Sequence, residues 1–151
     1  MSELRELYQE MILGHNKNPK NYRVIEDASH NAIGNNPLCG DKLAVYLNVS
    51  DDGVIDDVSF LGEGCAISKA SASLMTISLK GKTREEAREL FDKFHGVITT
   101  PIGEEQKNLD ELGKLAVLAG VREYPVRVKC ASLCWHTLNA ALAGEEQIST
   151  E

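Results

Sequence analysis

No run in this 151-residue chain approaches the ~20 consecutive apolar residues that cross a bilayer. The opening stretch, MSELRELYQEMILGH, mixes acidic with apolar residues, so it also lacks the basic start and small-residue cleavage site of a signal peptide. These absences lead us to expect a cytoplasmic protein with no membrane partner. A basic excess is missing too: 16 Lys and Arg stand against 23 Asp and Glu, for a formal net charge of −7. Phosphate binding needs a basic surface, so no nucleic-acid partner is expected. An acidic surface suits a basic protein partner or serves solubility alone. Internal repeats and low-complexity tracts are absent. Nor is there a CxxC pair, which excludes a thioredoxin-type motif and a zinc-ribbon half-site.

What is present fits one domain, residues 1–151, with 42% apolar residues to build its core. The spacing of Leu4, Leu7, Tyr8, Met11 and Ile12 predicts a helix over 3–14, stopped by Gly14 and the turn-rich HNKNPKNY. Residues 16–41 read as a loop with one short strand near His30–Gly34. Leu43, Val45, Leu47 and Val49 alternate with outward residues, and the turn Asp51-Asp52-Gly53 leads to a return strand over 54–61. Helices are expected over 67–79 and 83–94, the second opened by a capping box of Thr83 and Glu86. Residues 95–108 read as a loop, 109–119 as a helix and 131–143 as the last helix. From about residue 145 the tail is expected to fray. A small antiparallel sheet of about three strands with helices packed around it is an α+β domain.

The four cysteines stand at 39, 65, 130 and 134. In a reducing compartment such thiols point to metal binding or catalysis, with small buried residues as the alternative. Cys39 and Asp41 flank Gly40 in an extended stretch, where residues i and i+2 project to one side. Cys65 follows Gly64 ahead of a helix, and Cys130 is read as opening the last helix. A helix N-terminus favours a thiolate, and Arg127 and Lys129 add positive charge. Three thiolates and a carboxylate suit tetrahedral zinc, and the same donors can hold an iron–sulfur cluster. Three small residues at unrelated turns would also explain the pattern. Cys134 lies one turn beyond Cys130, either as a fifth ligand or as a core residue beside Leu133 and Leu138. His15, His30, His95 and His136 read as structural or solvated, and Ser68, Ser71 and Ser73 as capping and close-packing residues.

The strings NNPLCGD (35–41), GEGCAISKASASLMT (62–76) and RVKCASLCWHTL (127–138), with HNKNPKN (15–21), resemble the U-type iron–sulfur assembly proteins. This is the SufU/IscU/NifU N-domain group, with a SufE/NifU-like fold. The segment at roughly 95–115 and the sequence GKLAVLAGVREYPVRVKC resemble the SufU branch. IscU-type scaffolds carry a histidine where this chain has Lys129, and a Leu-Pro-Pro-Val-Lys segment where it has Tyr124-Pro125-Val126-Arg127. The resemblance implies a zinc-dependent sulfurtransferase with Cys39, Asp41, Cys65 and Cys130 as ligands. It implies that Cys39 accepts persulfide sulfur from a pyridoxal-phosphate cysteine desulfurase of the SufS kind, for use by downstream iron–sulfur assembly proteins. Arg127 would contact the partner. The alternatives are an IscU-like scaffold for a transient [2Fe–2S] cluster and a zinc-stapled interaction module.

Overall fold

The computed structural model describes residues 2–37, 40–145 and 147–149, and Cys39 lies outside them. Helix α1 spans Ser2–Lys17, longer at its C-terminal end than the apolar spacing predicts. Tyr8, Met11 and Ile12 pack on the core, whereas Leu7, expected on the same face, is half exposed.

Three antiparallel strands follow: β1 (His30–Asn36), β2 (Asp41–Val49) and β3 (Ile55–Glu63). Strand β1 pairs with β2 from His30 opposite Leu47 to Asn36 opposite Asp41, and β2 pairs with β3 from Lys42 opposite Glu63 onward. The alternation expected of β2 holds at Leu43, Val45 and Leu47, which are fully buried beside an exposed Lys42, whereas Val49 at the strand's end is only partly buried. Gly53, at φ +82°, closes the β2–β3 turn, its N–H donating to Ser50 O at 2.9 Å. A fourth strand, β4 (Gln147–Ser149), lies parallel to β1 and completes the sheet order β3-β2-β1-β4. The tail was expected to fray here. Backbone groups along the free edge of β1 give this short segment a partner that local sequence does not announce.

Helix α2 (Ala66–Leu79) is buried on most sides, and α3 (Arg84–Ile98) follows it. The capping box forms as the sequence predicts: Glu86 N–H donates to Thr83 Oγ1 at 3.1 Å, and Thr83 N–H to Glu86 Oε1 at 3.0 Å. Helix α3 runs to Ile98, into the stretch read as a loop, because Phe94, Val97 and Ile98 continue its buried face. Leu109–Glu123 winds as 3₁₀ turns rather than an α-helix, broken at Gly113 (φ 57°, ψ −129°).

The last helix, α4, spans Pro125–Leu142 and begins six residues earlier than the sequence reading places it. Pro125 occupies the first turn, where the missing N–H costs nothing and the fixed φ suits a helix, so the proline starts the element.

Helices α2 and α4 cover one face of the sheet, with Trp135, Phe60, Phe94, Leu74 and Met75 in the core between them. Each such side chain contributes about 1.5–3 kcal/mol by leaving water. Small residues let the layers approach. Ser71 Oγ on α2 donates to Ala131 O on α4 at 2.6 Å. On β1, a Cβ at Gly34 would stand 1.8 Å from Thr137 Oγ1 on α4. These contacts set where α4, and Cys130 on it, lies over the sheet.

Candidate metal centre

Asp41 is the first residue of β2 and is fully buried. Its Oδ1 accepts the Cys65 N–H at 2.9 Å. Its Oδ2 is buried and has no hydrogen-bond partner among the described residues. Cys65 is the exposed N-cap of α2, and its Sγ accepts the Ser68 N–H at 3.4 Å. Two glycines bring these residues together. A Cβ at Gly62 (φ +152°) would stand 2.2 Å from Lys42 O, and one at Gly64 would stand 2.7 Å from Asp41 Oδ1. Only a chain without side chains at 62 and 64 can cross the start of β2 this closely and place the N-terminus of α2 beside the carboxylate.

Cys130 comes from α4 and is 2% exposed. It was expected to open that helix. It is instead the sixth residue, in the second turn. The helix-terminus field fades within the first turn, so Cys130 lies beyond its reach. One donor atom from each of Asp41, Cys65 and Cys130 lies within 4.8 Å of the other two. Donors around one zinc at ~2.0–2.3 Å stand about 3.5–3.8 Å apart in a tetrahedron, so small movements close this set. A buried carboxylate oxygen without a partner is costly, and a cation would satisfy it. Two thiols and a carboxylate with one orphaned oxygen fit zinc.

Cys134 does not join the group. It is fully buried, its Sγ donating to Ser71 Oγ at 3.5 Å, and burial pushes its thiol up to about 12 despite that hydrogen bond. It packs as a core residue. Cys39, expected as a further ligand, lies outside the described residues. Arg127 is exposed in the first turn of α4, its guanidinium 5.4 Å from the centre of the Tyr124 ring. The histidines serve elsewhere: His15 Nδ1 pairs with Ser73 Oγ at 2.7 Å, and His30 Nε2 with Arg84 at 2.9 Å. His95 and His136 meet edge to face, and burial, then His95, holds the His136 imidazole below its ordinary value.

Sequence reasoning reads Ser68 as a capping and close-packing residue but misses that its backbone N–H, three residues after the cap, donates to Cys65 Sγ. It also missed Asn36, a polar residue in phase with Ala32 and Gly34 on the buried face of β1.

Fold and site together define a small α+β domain that gathers two thiols and a carboxylate at the end of its sheet. The chain belongs to the NifU-like N terminal domain family, whose model matches residues 7–131, from α1 through Cys130 to Ala131. It is 39% identical over 145 residues to the zinc-dependent sulfurtransferase SufU of Bacillus subtilis (strain 168), covering 96% of this chain and 95% of the relative. It is 37% identical over 142 residues to the iron–sulfur cluster assembly scaffold protein IscU of Streptococcus pyogenes serotype M1, covering 94% and 86%. Among solved structures, an iron–sulfur cluster assembly scaffold protein for the SUF system from Fervidobacterium islandicum AW-1 superposes with a TM-score of 0.79 at 38% identity, over 88% of this chain and 94% of that one. The N-terminal NifU-like protein of Brucella abortus shares the fold, at a TM-score of 0.76 and 24% identity over 90% and 92%. No helix among the described residues is long and apolar enough to cross a membrane.

Proposed function

We propose that the chain is a zinc-dependent sulfur-transfer protein of iron–sulfur cluster assembly. It works in the cytoplasm with a pyridoxal-phosphate cysteine desulfurase of the SufS kind and supplies downstream assembly proteins. The observation that carries this reading is the convergence of Asp41, Cys65 and Cys130 within 4.8 Å. The zinc-dependent sulfurtransferase among its relatives supports it. Cys39, beside Gly40, is the fourth ligand and the sulfur acceptor. Bound zinc keeps thiols deprotonated at neutral pH.

The Cys39 thiolate attacks the terminal sulfur of the desulfurase persulfide. A new S–S bond forms on Cys39, the desulfurase S–S bond breaks, and the desulfurase cysteine leaves as a thiolate. The exchange needs no external oxidant or reductant. Asp41 and Cys65 hold each other through the Cys65 N–H, and α4 brings Cys130 to them. Arg127, exposed above Tyr124, offers a planar cation to acidic groups of the partner.

The test is alanine release by a cognate desulfurase supplied with cysteine, read beside mass spectrometry for one added sulfur on Cys39. Wild type should accelerate release, Cys39→Ser should accept no sulfur, and Arg127→Ala should stimulate less with zinc still bound. Stimulation by Cys39→Ser equal to wild type overturns the mechanism. Relatives named as scaffolds, one 37% identical, favour a second reading in which the same donors assemble a [2Fe–2S] cluster. Intact transfer of such a cluster from wild type to an apo-acceptor would put that reading first.

A further inference from the structure

Asn36, the last residue of β1, is fully buried, and among the described residues neither its Nδ2 nor its Oδ1 has a hydrogen-bond partner. Buried carboxamides in folded proteins are nearly always satisfied, so this one calls for an explanation. Its cross-strand partner is Asp41. Directly paired residues project to the same face, with Cβ atoms about 4.5–5.5 Å apart. That face of β1 looks onto α4: Gly34, two residues back, lies against Thr137 and Leu133, and Leu133 is three residues from Cys130. Asn36 therefore lies under the metal centre, between β2 and the helix that carries Cys130.

The neighbouring carboxylate is half engaged. Asp41 Oδ1 accepts the Cys65 N–H, and Oδ2 is buried and unpartnered among the described residues. An orphaned donor and an orphaned acceptor thus stand on adjacent residues of one buried face. The final torsion of an asparagine or aspartate side chain is soft, so the two can meet without backbone movement.

We propose that Asn36 is a positioning residue for this centre, its Nδ2 donating to Asp41 Oδ2 when the metal binds. With the Cys65 N–H on one oxygen and the Asn36 N–H on the other, the carboxylate cannot rotate, and its remaining lone pairs are held toward the metal. Groups that orient a ligand in this way commonly change metal affinity by about 10–100-fold when removed. The inference rests on the metal-centre reading above.

The test uses the full chain and the variant Asn36→Leu, which keeps the side chain's size and removes its polar atoms. Zinc affinity is read by chelator competition, and ligand geometry by the visible absorption of the cobalt(II)-substituted protein. Metal-free stability is read by urea denaturation. We expect zinc to bind at least about 10-fold more weakly, the cobalt bands to shift, and the metal-free chain to be as stable as wild type or more so. Wild-type affinity with wild-type cobalt bands overturns the proposal. Lower metal-free stability with unchanged bands also overturns it, because that is the result of a packing role alone. Should the variant not fold, the side-chain amide resonances of Asn36 in wild type decide: they should shift and exchange more slowly on adding zinc, and no response overturns the proposal. Wild type that binds no metal defeats the metal-centre reading itself, whereas metal-binding wild type with an indifferent Asn36 defeats only this inference.

Discussion

Replacing Gly34 with alanine would put a methyl carbon 1.8 Å from Thr137 Oγ1, 3.1 Å from Thr137 Cβ and 3.2 Å from Leu133 Cδ1. The backbone there is ordinary strand, so the cost is steric rather than conformational. Thr137 cannot easily turn away, because it is fully buried and its hydroxyl donates to Leu133 O at 2.7 Å. Overpacking of this kind costs about 1–3 kcal/mol. The lower chain entropy of unfolded alanine returns about 0.4–1 kcal/mol. A net loss of about 1–2 kcal/mol should lower Tm by roughly 2–8 °C in a domain of this size. Because the clash pushes α4 off β1, it also moves Cys130 from Asp41, and zinc affinity should fall with stability. Thr137→Ala removes the atom of closest approach. The pair should therefore be non-additive, the double variant being more stable than the sum of the single losses by about 1 kcal/mol. Urea denaturation of the metal-free single and double variants measures the cycle, and chelator competition measures the metal. Additive losses, or Gly34→Ala with wild-type stability and zinc affinity, would refute the reasoning.

Two further outcomes follow from the same geometry. Chelation should lower the melting temperature, since binding to the folded state alone contributes ~4 kcal/mol at a thousand-fold excess over Kd; Cys65→Ser and Cys130→Ser should melt like the chelated wild type, and a melt indifferent to chelation would count against the site. Cys134 should make the metal-free protein sensitive to alkali. Its thiol rises from an ordinary 9.0 to about 12 on burial, so stability is complete below about 9 and declines from there toward 12, as the unfolded chain sheds a proton that the folded chain keeps. Cys134→Ala should flatten that decline in a pH series of denaturation midpoints, and an unchanged slope would contradict the assignment.

Where a few neighbouring residues settle the matter, the sequence by itself determined the structure. Leu43, Val45 and Leu47 alternate because a strand has a period of two, and Asp51-Asp52-Gly53 turns because glycine accepts the positive φ. Thr83 and Glu86 cap α3 because each satisfies the other's backbone N–H. The donor types that meet at the candidate site were legible too, at Asp41, Cys65 and Cys130 and in their motifs. Tertiary structure decided what depends on partners far along the chain. Pro125 begins α4, though a proline in isolation reads equally as a break, because the segment after it has a sheet and α2 to pack against. The edge of β1 makes a strand of residues 147–149. Asn36 reads as a turn residue until the register sets it opposite Asp41. The meeting of the three donors is the fullest case. Gly34, Gly62 and Gly64 permit approaches between backbones and side chains that no local pattern encodes, and close packing turns those approaches into the position of one sulfur atom beside another.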